Sequence, residues 1–383
     1  VSEENKTFTF NPNSTKQLRE LLFDRMKLEV VKFTKKGKKF TENPSTDAEV
    51  LEQYGKKNKF CEHISKQRGL VHLKATFLDG MLKQVSKDGR IHTNYLLFGT
   101  VTGRPSSNKP NLNNIPRSST AVDIKDIFCA SEGNWLMELD GKAMEFRVWA
   151  SMSNDDRMIR DIELGLDIHK AMGGVAYYQR SLPNKGDITT EQFLALTEGV
   201  TKDQRQNAKT EVVFGPMYGR GPEAISKALG ISKTEAIRVL NELFKRYRKG
   251  SIYLSMLKSR CKRDGFVRCL FGRKRRLPNI TSPDFGVRSD AERQSINSPV
   301  QGSASDLVLM AGIRILSTLW EKACKTRLVL TVYDSLTYEL PEDELQFAFE
   351  YFPKEFVKPL PELNVKLDVE VKIGKRWGSL VEV

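Results

Sequence analysis

Two solid apolar runs, each closed by an aspartate, stand out from an otherwise helical pattern. Trp135 to Leu139 leads into Asp140, and Leu328 to Tyr333 leads into Asp334. Short runs of this kind predict buried strands. The stretch 134–150 reads as such a strand followed by an amphipathic helix. Helical periodicity covers about 14–82, where 16–27 starts at an Asn13/Ser14 cap. It also dominates 155–262, apart from a polar loop near 182–187. A further helix is predicted to open at Ser298-Pro299, a good Ncap–N1 pair, and to run through about Leu319. Residues 265–280 (GFVRCLFGRKRRLPNI) predict a hairpin around Gly272, while 328–340 and 363–377 predict strands. The lysine-rich 33–41 reads as a solvated turn. Residues 89–116 form a Gly-, Pro- and Asn-rich loop, long enough to suggest a functional role. No internal repeat or low-complexity segment is present. The class is α+β.

Composition narrows the partners. At 383 residues the chain can bury a large core and divide into two or three subdomains. Its net charge of +14, from 62 Lys+Arg against 48 Asp+Glu, predicts a polyanion such as nucleic acid. A general lysine bias would give the same balance. The five cysteines form no CxxC pair or zinc spacing, which suits reduced thiols in a cytoplasm-like compartment. No signal peptide and no apolar run near eighteen residues is read, so no membrane partner is expected. The opening VSEENKTFTFNPNS resembles mid-protein sequence and leads us to expect natural sequence upstream.

A carboxylate at the end of a buried strand is costly unless it is paired, hydrogen-bonded or on a metal. Asp140 and Asp334 together suit metal-assisted transfer of a phosphate-bearing substrate. Each alone reads equally as a cap for the next turn. Between them lies a basic helix, RQNAKTEVVFGPMYG, in which Arg205 and Lys209 share a face at i,i+4 spacing. By spacing alone that pair is solvated surface, and Phe214 and Tyr218 are core.

Five motifs in order carry a resemblance that runs from about Asn11 to Val383. TVTGRPSSNKPNLNNIP is similar to TGRLSSxxPNLQNIP, and DGKAMEFRVWA to DYSQIELRVLA. RQNAKTEVVFGPMYG is similar to RxxxKxxxFGxxYG, and RQSINSPVQGSASDL to RxxxNxPVQGxAADL; VYDS falls where VHDE is usual. The chain resembles the polymerase domain of family A DNA polymerases, the bacterial repair and phage replication type. The resemblance implies a right-hand fold with an antiparallel palm sheet, helical fingers and a partial helical thumb. Its expected boundaries are thumb and start of palm at 1–92, palm at 93–154, fingers at 155–282 and palm again at 283–383.

The resemblance also implies roles. Asp140 and Asp334, with a backbone carbonyl near Gly141, would hold two Mg2+ ions, for which Mn2+ can substitute. Glu145 would crowd the sugar 2′ position and exclude ribonucleotides. Its residue-level alternative is a surface glutamate paired with Arg147. Arg205, Lys209 and His169 would bind the triphosphate of a deoxynucleoside triphosphate. Phe214 and Tyr218 would form the platform for its base and sugar, and Phe214 in place of tyrosine implies poor use of dideoxy terminators. Arg104, Asn111 and Asn114 would sit beside primer–template DNA, and Arg293, Asn297 and Gln301 would reach its minor groove. Asn113 reads as turn chemistry. A monomer in a bacterial nucleoid, a phage-infected cell or an organelle matrix is expected, with any exonuclease or helicase-type region lying upstream. No acidic exonuclease segment precedes the motifs in this chain, so no proofreading is expected of it. A single-subunit RNA polymerase and a non-catalytic primer–template binding module are the alternatives.

Three departures stand against the pattern. Lys209 lies nine residues before Tyr218 instead of eight. At about 100° per residue, nine helical steps put the two side chains roughly 180° apart, whereas eight leave roughly 80°. With Pro216 in the same helix, we expect one extra residue among 210–213 to form a π-bulge that restores a shared face. The usual His-Asp-Glu is Tyr333-Asp334-Ser335, which loses a flanking carboxylate. Gly141 and Lys142 replace the usual tyrosine and serine.

Overall fold

The computed structural model describes residues 10–36, 39–97, 99–116 and 123–383. The chain forms two compact units, 1–93 and 94–383.

In the first unit the Ser14 hydroxyl caps helix Thr15–Arg19, which continues as a π-helical turn over Glu20–Arg25. Asp47 and Asn58 cap helices Ala48–Gly55 and Lys59–Leu73 in the same way. Leu18, Leu22, Leu51, Cys61 and Ile64 close its small core. The segment read as a solvated turn is a hairpin: Phe33–Lys36 pairs with Lys39–Pro44. Its charge pattern hid the strands, and its tip lies outside the described residues.

The second unit is built on a five-stranded antiparallel sheet. We label its strands β1 (Asn134–Gly141), β2 (Arg327–Val332), β3 (Ser335–Pro341), β4 (Val369–Gly374) and β5 (Val381–Glu382), in the order β5-β4-β1-β3-β2. β1 is central and buried from Leu136 through Leu139, and β3 is buried along almost its whole length. The register sets Asp140 opposite Ser335, and the Gly141 amide donates to the Asp334 carbonyl at 3.0 Å. Both aspartates therefore emerge at the same end of neighbouring strands.

Helix Met144–Ser153 follows β1 directly and packs Phe146, Val148 and Trp149 into the core. The Trp149 indole donates to the Gly250 carbonyl at 3.2 Å, which ties this helix to Arg248–Asp264. Between them the fully buried Arg246 is gripped by Asp161, which also accepts from the Tyr247 phenol at 2.8 Å. With every charge paired, such a cluster can persist in a core; losing one partner would strand the other. The hairpin of Phe266–Arg268 and Lys274–Arg276 turns at Gly272, whose φ of +84° suits glycine.

Ser298-Pro299 does not open a helix. One helix runs from Phe285 to Glu321, capped by Asp284, with Pro299 inside it. Pro299 cannot donate to the Ser295 carbonyl, but Ser298 and Ser303 hydroxyls bond the Gln294 and Pro299 carbonyls. Burial of Ile296, Val300, Ala304 and Leu307 then overrides the local stop signal. By length and composition part of this helix is apolar enough to cross a membrane, contrary to the sequence reading. That window is 56% buried against the sheet and neighbouring helices, so it serves as a core helix here.

Candidate active site

At the aspartate end of the sheet lies a cavity of about 630 Å³. Asp140, Gly141 and Asp334 line it from the strands, Glu145 from the following helix, and Lys209, Phe214 and Tyr218 from the finger segment. Arg104 enters from the long loop. These eight come from four distant stretches of sequence.

Arg104 is the hub. One guanidinium nitrogen donates to Glu145 at 2.6 Å and lies 3.4 Å from an Asp334 carboxylate oxygen. The same guanidinium sits 5.5 Å from the centre of the Tyr333 ring. Glu145 is buried, and its second oxygen accepts from the Tyr218 phenol at 2.8 Å. Burial, then the Glu145 charge, pushes the Tyr218 phenol well up. Arg147 does not pair with Glu145; it donates to the Lys142 and Lys366 carbonyls and lies 3.5 Å from Asp368.

Burial works against ionisation of both aspartates. Burial pushes the Asp334 carboxyl up to about 6; Arg104 opposes this and Glu145 and Asp140 add to it. Asp140 is raised by burial and then by Glu138, with Lys372 opposing. Two carboxylates and a nearby carbonyl form an all-oxygen donor set that suits a hard cation such as Mg2+. No cluster of three or more ligating side chains occurs among the described residues. The rest of any coordination shell would have to come from water and substrate phosphate. The residues fit such an ion on those terms.

The segment from Lys202 to Tyr218 resolves the spacing problem. Helix Lys202–Asn207 passes into a π-helical turn over Ala208–Val213, and the Phe214 amide donates to the Lys209 carbonyl at 3.0 Å, five residues back. Gly215–Tyr218 then forms a 3-10 turn with Pro216 in its first turn. Lys209 and Tyr218 consequently reach the same cavity, with the Lys209 ammonium 5.9 Å from the Phe214 ring.

The other expected residues lie outside this lining. Arg205 donates to Asp167 at 2.5 Å. His169 is buried, 5.3 Å from the Phe214 ring and 6.1 Å from Phe146. Neither of its ring nitrogens has a hydrogen-bond partner among the described residues, and burial, reinforced by Lys209, pushes the ring down to about 3. Arg293 donates to Asp290 and Ser289, Asn111 accepts from Ser107, and Asn114 lies 3.5 Å from the Tyr333 hydroxyl. Asn297 and Gln301 are half-buried on the long helix.

Among the lining residues that sequence did not assign to this site are Asn113, Glu138, Lys372 and Tyr333. Asn113 is more than a turn residue. Its amide nitrogen donates to the Pro105 carbonyl at 3.2 Å, and its buried oxygen has no partner among the described residues. Glu138 lies two residues before Asp140 on the same strand, and Lys372 is the register partner of Glu138 on β4, a signal that only the pairing reveals. Of the departures, Ser335 is buried and donates to the Val332 carbonyl, and Lys142 pairs with Glu382 at 3.8 Å. At Gly141 a Cβ would lie 2.4 Å from Met144 Cγ, so a larger residue requires Met144 to move.

Comparison with known proteins agrees with this architecture. The family model for DNA polymerase family A matches residues 2–379, and the chain belongs to that family. It is 35% identical over 370 residues to DNA polymerase I of Caldicellulosiruptor bescii, covering 96% of this chain and 41% of that protein. It is 36% identical over 371 residues to DNA polymerase I of Geobacillus stearothermophilus, covering 96% and 40%. The chain thus spans about two-fifths of the length of these relatives. Among solved structures it is similar to the POL domain of Pol1 from M. smegmatis in complex with DNA primer-template and dNTP. That match has a TM-score of 0.82 at 31% identity and covers 97% of this chain and 62% of the other.

Proposed function

We propose that this chain adds deoxynucleotides to a primer 3′ hydroxyl under the direction of a template strand, with two Mg2+ ions or Mn2+ in their place. One observation carries the reading: Asp140 and Asp334 meet at the ends of adjacent strands in a cavity that also receives Lys209. When bound, such ions activate the attacking hydroxyl and neutralise the leaving pyrophosphate. Asp140, Asp334 and the Gly141 carbonyl would hold them. Lys209 faces the triphosphate as a charged donor, with Arg205 and His169 joining it from the same side once Arg205 leaves Asp167. Glu145, fixed by Tyr218 and Arg104, closes the space a 2′ hydroxyl would need. Phe214 and Tyr218 would seat base and sugar.

The primer–template and dNTP named for the M. smegmatis complex support these partners. Asn111 and Asn114 are assigned to DNA beside the cavity, and Arg293, Asn297 and Gln301 to the minor groove, whose acceptors vary little with sequence. A net charge of +14 makes duplex binding strongly salt-dependent. The bacterial relatives favour a cytoplasmic setting.

The test is extension of a labelled DNA primer on a DNA template with Mg2+, using deoxynucleotides or ribonucleotides, beside an Asp334→Asn control. Extension with deoxynucleotides alone, lost in the control, supports the reading. Extension with ribonucleotides favours the RNA polymerase alternative. Tight duplex binding without extension leaves a binding module.

A further inference from the structure

We propose that Glu211 and Arg220 act as a positioning pair that holds the π-turn in register and so sets where Lys209 and Tyr218 meet the incoming nucleotide. This rests on the polymerase reading above. The two side chains form an ion pair across the segment that carries Lys209, Phe214 and Tyr218. Glu211 lies in the stretch where the extra residue falls, and its side chain is only 14% exposed. Arg220 follows Gly219, whose φ of +73° turns the chain back.

The return is tight. The Arg220 amide donates to the Gly215 carbonyl at 2.8 Å. The Arg220 stem approaches Gly215, where an added Cβ would meet its Cβ at 3.5 Å and Cδ at 3.7 Å. A Cβ on Gly219 would lie 2.0 Å from Arg293 Cγ, so the loop's outer side is fixed as well. A π-turn has one more residue per hydrogen-bonded ring than the α-helix around it and can slide along the chain. Slippage of the turn towards the N-terminus past Lys209 would take the extra residue out of the interval and rotate Lys209 by about 100° relative to Tyr218. Pairing Glu211 with a residue beyond the 3-10 turn opposes that slip. Neither residue lines the cavity, so the pair acts through Lys209 and Tyr218 rather than on substrate.

The experiment compares Glu211→Gln, Arg220→Gln and the exchanged double variant Glu211→Arg/Arg220→Glu. Amide hydrogen exchange on the protein alone reads the register, and primer extension reads KM for dNTP apart from kcat. Each single variant is expected to speed exchange across 208–220 and raise KM for dNTP ~3–10-fold with kcat little changed, and the exchange of charges to recover most of both. Unchanged exchange in the singles overturns the proposal. Faster exchange with unchanged KM also overturns it, leaving a strut with no bearing on the nucleotide. Singles that respond and an exchanged pair that recovers nothing overturn the pairing. Failure of the unmodified protein to extend any primer counts instead against the polymerase reading, and is distinguished because the exchange measurement needs no activity.

Discussion

The Tyr218 phenol donates to Glu145 at 2.8 Å, and the other oxygen of the same carboxylate takes Arg104 at 2.6 Å. Glu145 is thereby locked from two sides in a buried position, which on the proposed reading holds it against the nucleotide sugar. Glu145→Ala removes the wall and both bonds. Losing a steric wall of this size is worth ~1–3 kcal/mol, so discrimination against ribonucleotides should fall ~10–100-fold. Tyr218→Phe, which frees one oxygen only, should give a smaller loss. The measurement is the ratio of kcat/KM for matched deoxy- and ribonucleotides. An unchanged ratio in Glu145→Ala would return this glutamate to a purely structural role.

On the proposed reading, Asp334 gives metal dependence a pH signature. Burial lifts its carboxyl to about 6, although Arg104 stands beside it. A cation must displace the proton below that value and meets an ionised group above it. The Mg2+ concentration for half-maximal extension should therefore be flat from pH 7 to 8. It should rise towards tenfold per unit as pH falls below 6. Titrations of Mg2+ at pH 5.5, 6.5 and 7.5 test this. Asp334→Asn should flatten the pH slope to what Asp140 contributes and lower activity by more than ~100-fold, beyond the range expected for loss of an outer-sphere partner.

His169 predicts acid sensitivity of the fold itself. Its buried ring is pushed down to about 3 from an unperturbed value near 6.5. The folded state therefore binds fewer protons than the unfolded state between those values. The stabilisation it contributes is complete above pH 6.5 and is lost progressively as pH falls towards 3. The loss is ~1.4 kcal/mol per pH unit, so ~2 kcal/mol between pH 6.5 and 5. Urea unfolding of the unmodified protein and of His169→Gln at both pH values isolates this contribution. The variant should lose about that much less. Equal losses in the two proteins would show that the folded ring takes up its proton as readily as the unfolded one.

Much of this was readable because motif residues carry their own chemistry. The apolar runs before Asp140 and Asp334 are long enough to mark strands, and the strand ends coincide with the aspartates in the fold. The nine-residue separation of Lys209 and Tyr218 conflicts with a regular helix, and the conflict itself located the π-turn. What stayed hidden depends on tertiary partners. Ser298-Pro299 carries a strong local start signal, yet buried apolar neighbours on both sides keep the helix continuous. Lys372 becomes a site residue only through the β1–β4 register, opposite Glu138. Tyr333 shows in sequence only as a replaced histidine, and its place beneath Arg104 depends on a loop more than two hundred residues away in the chain. Asp167 holding Arg205 away from the cavity is likewise a pairing between helices.

Pro216 tests the finger geometry through stability alone. In the interior of a regular α-helix a proline costs ~3 kcal/mol, because it lacks a donor and its ring meets the carbonyl four residues back. Replacing it with alanine would then stabilise the protein by a similar amount. Here Pro216 sits in the first turn of the 3-10 segment, directly after the π-turn, where no backbone donor is required of it. Its fixed φ suits that position and lowers the entropy of the unfolded chain. Pro216→Ala should accordingly destabilise the protein by ~0.4–1 kcal/mol. The sign of the change, read from denaturant midpoints at constant slope, decides between the two geometries. A gain of several kcal/mol would mean an unbroken helix through Tyr218 and would remove the basis for a shared face with Lys209.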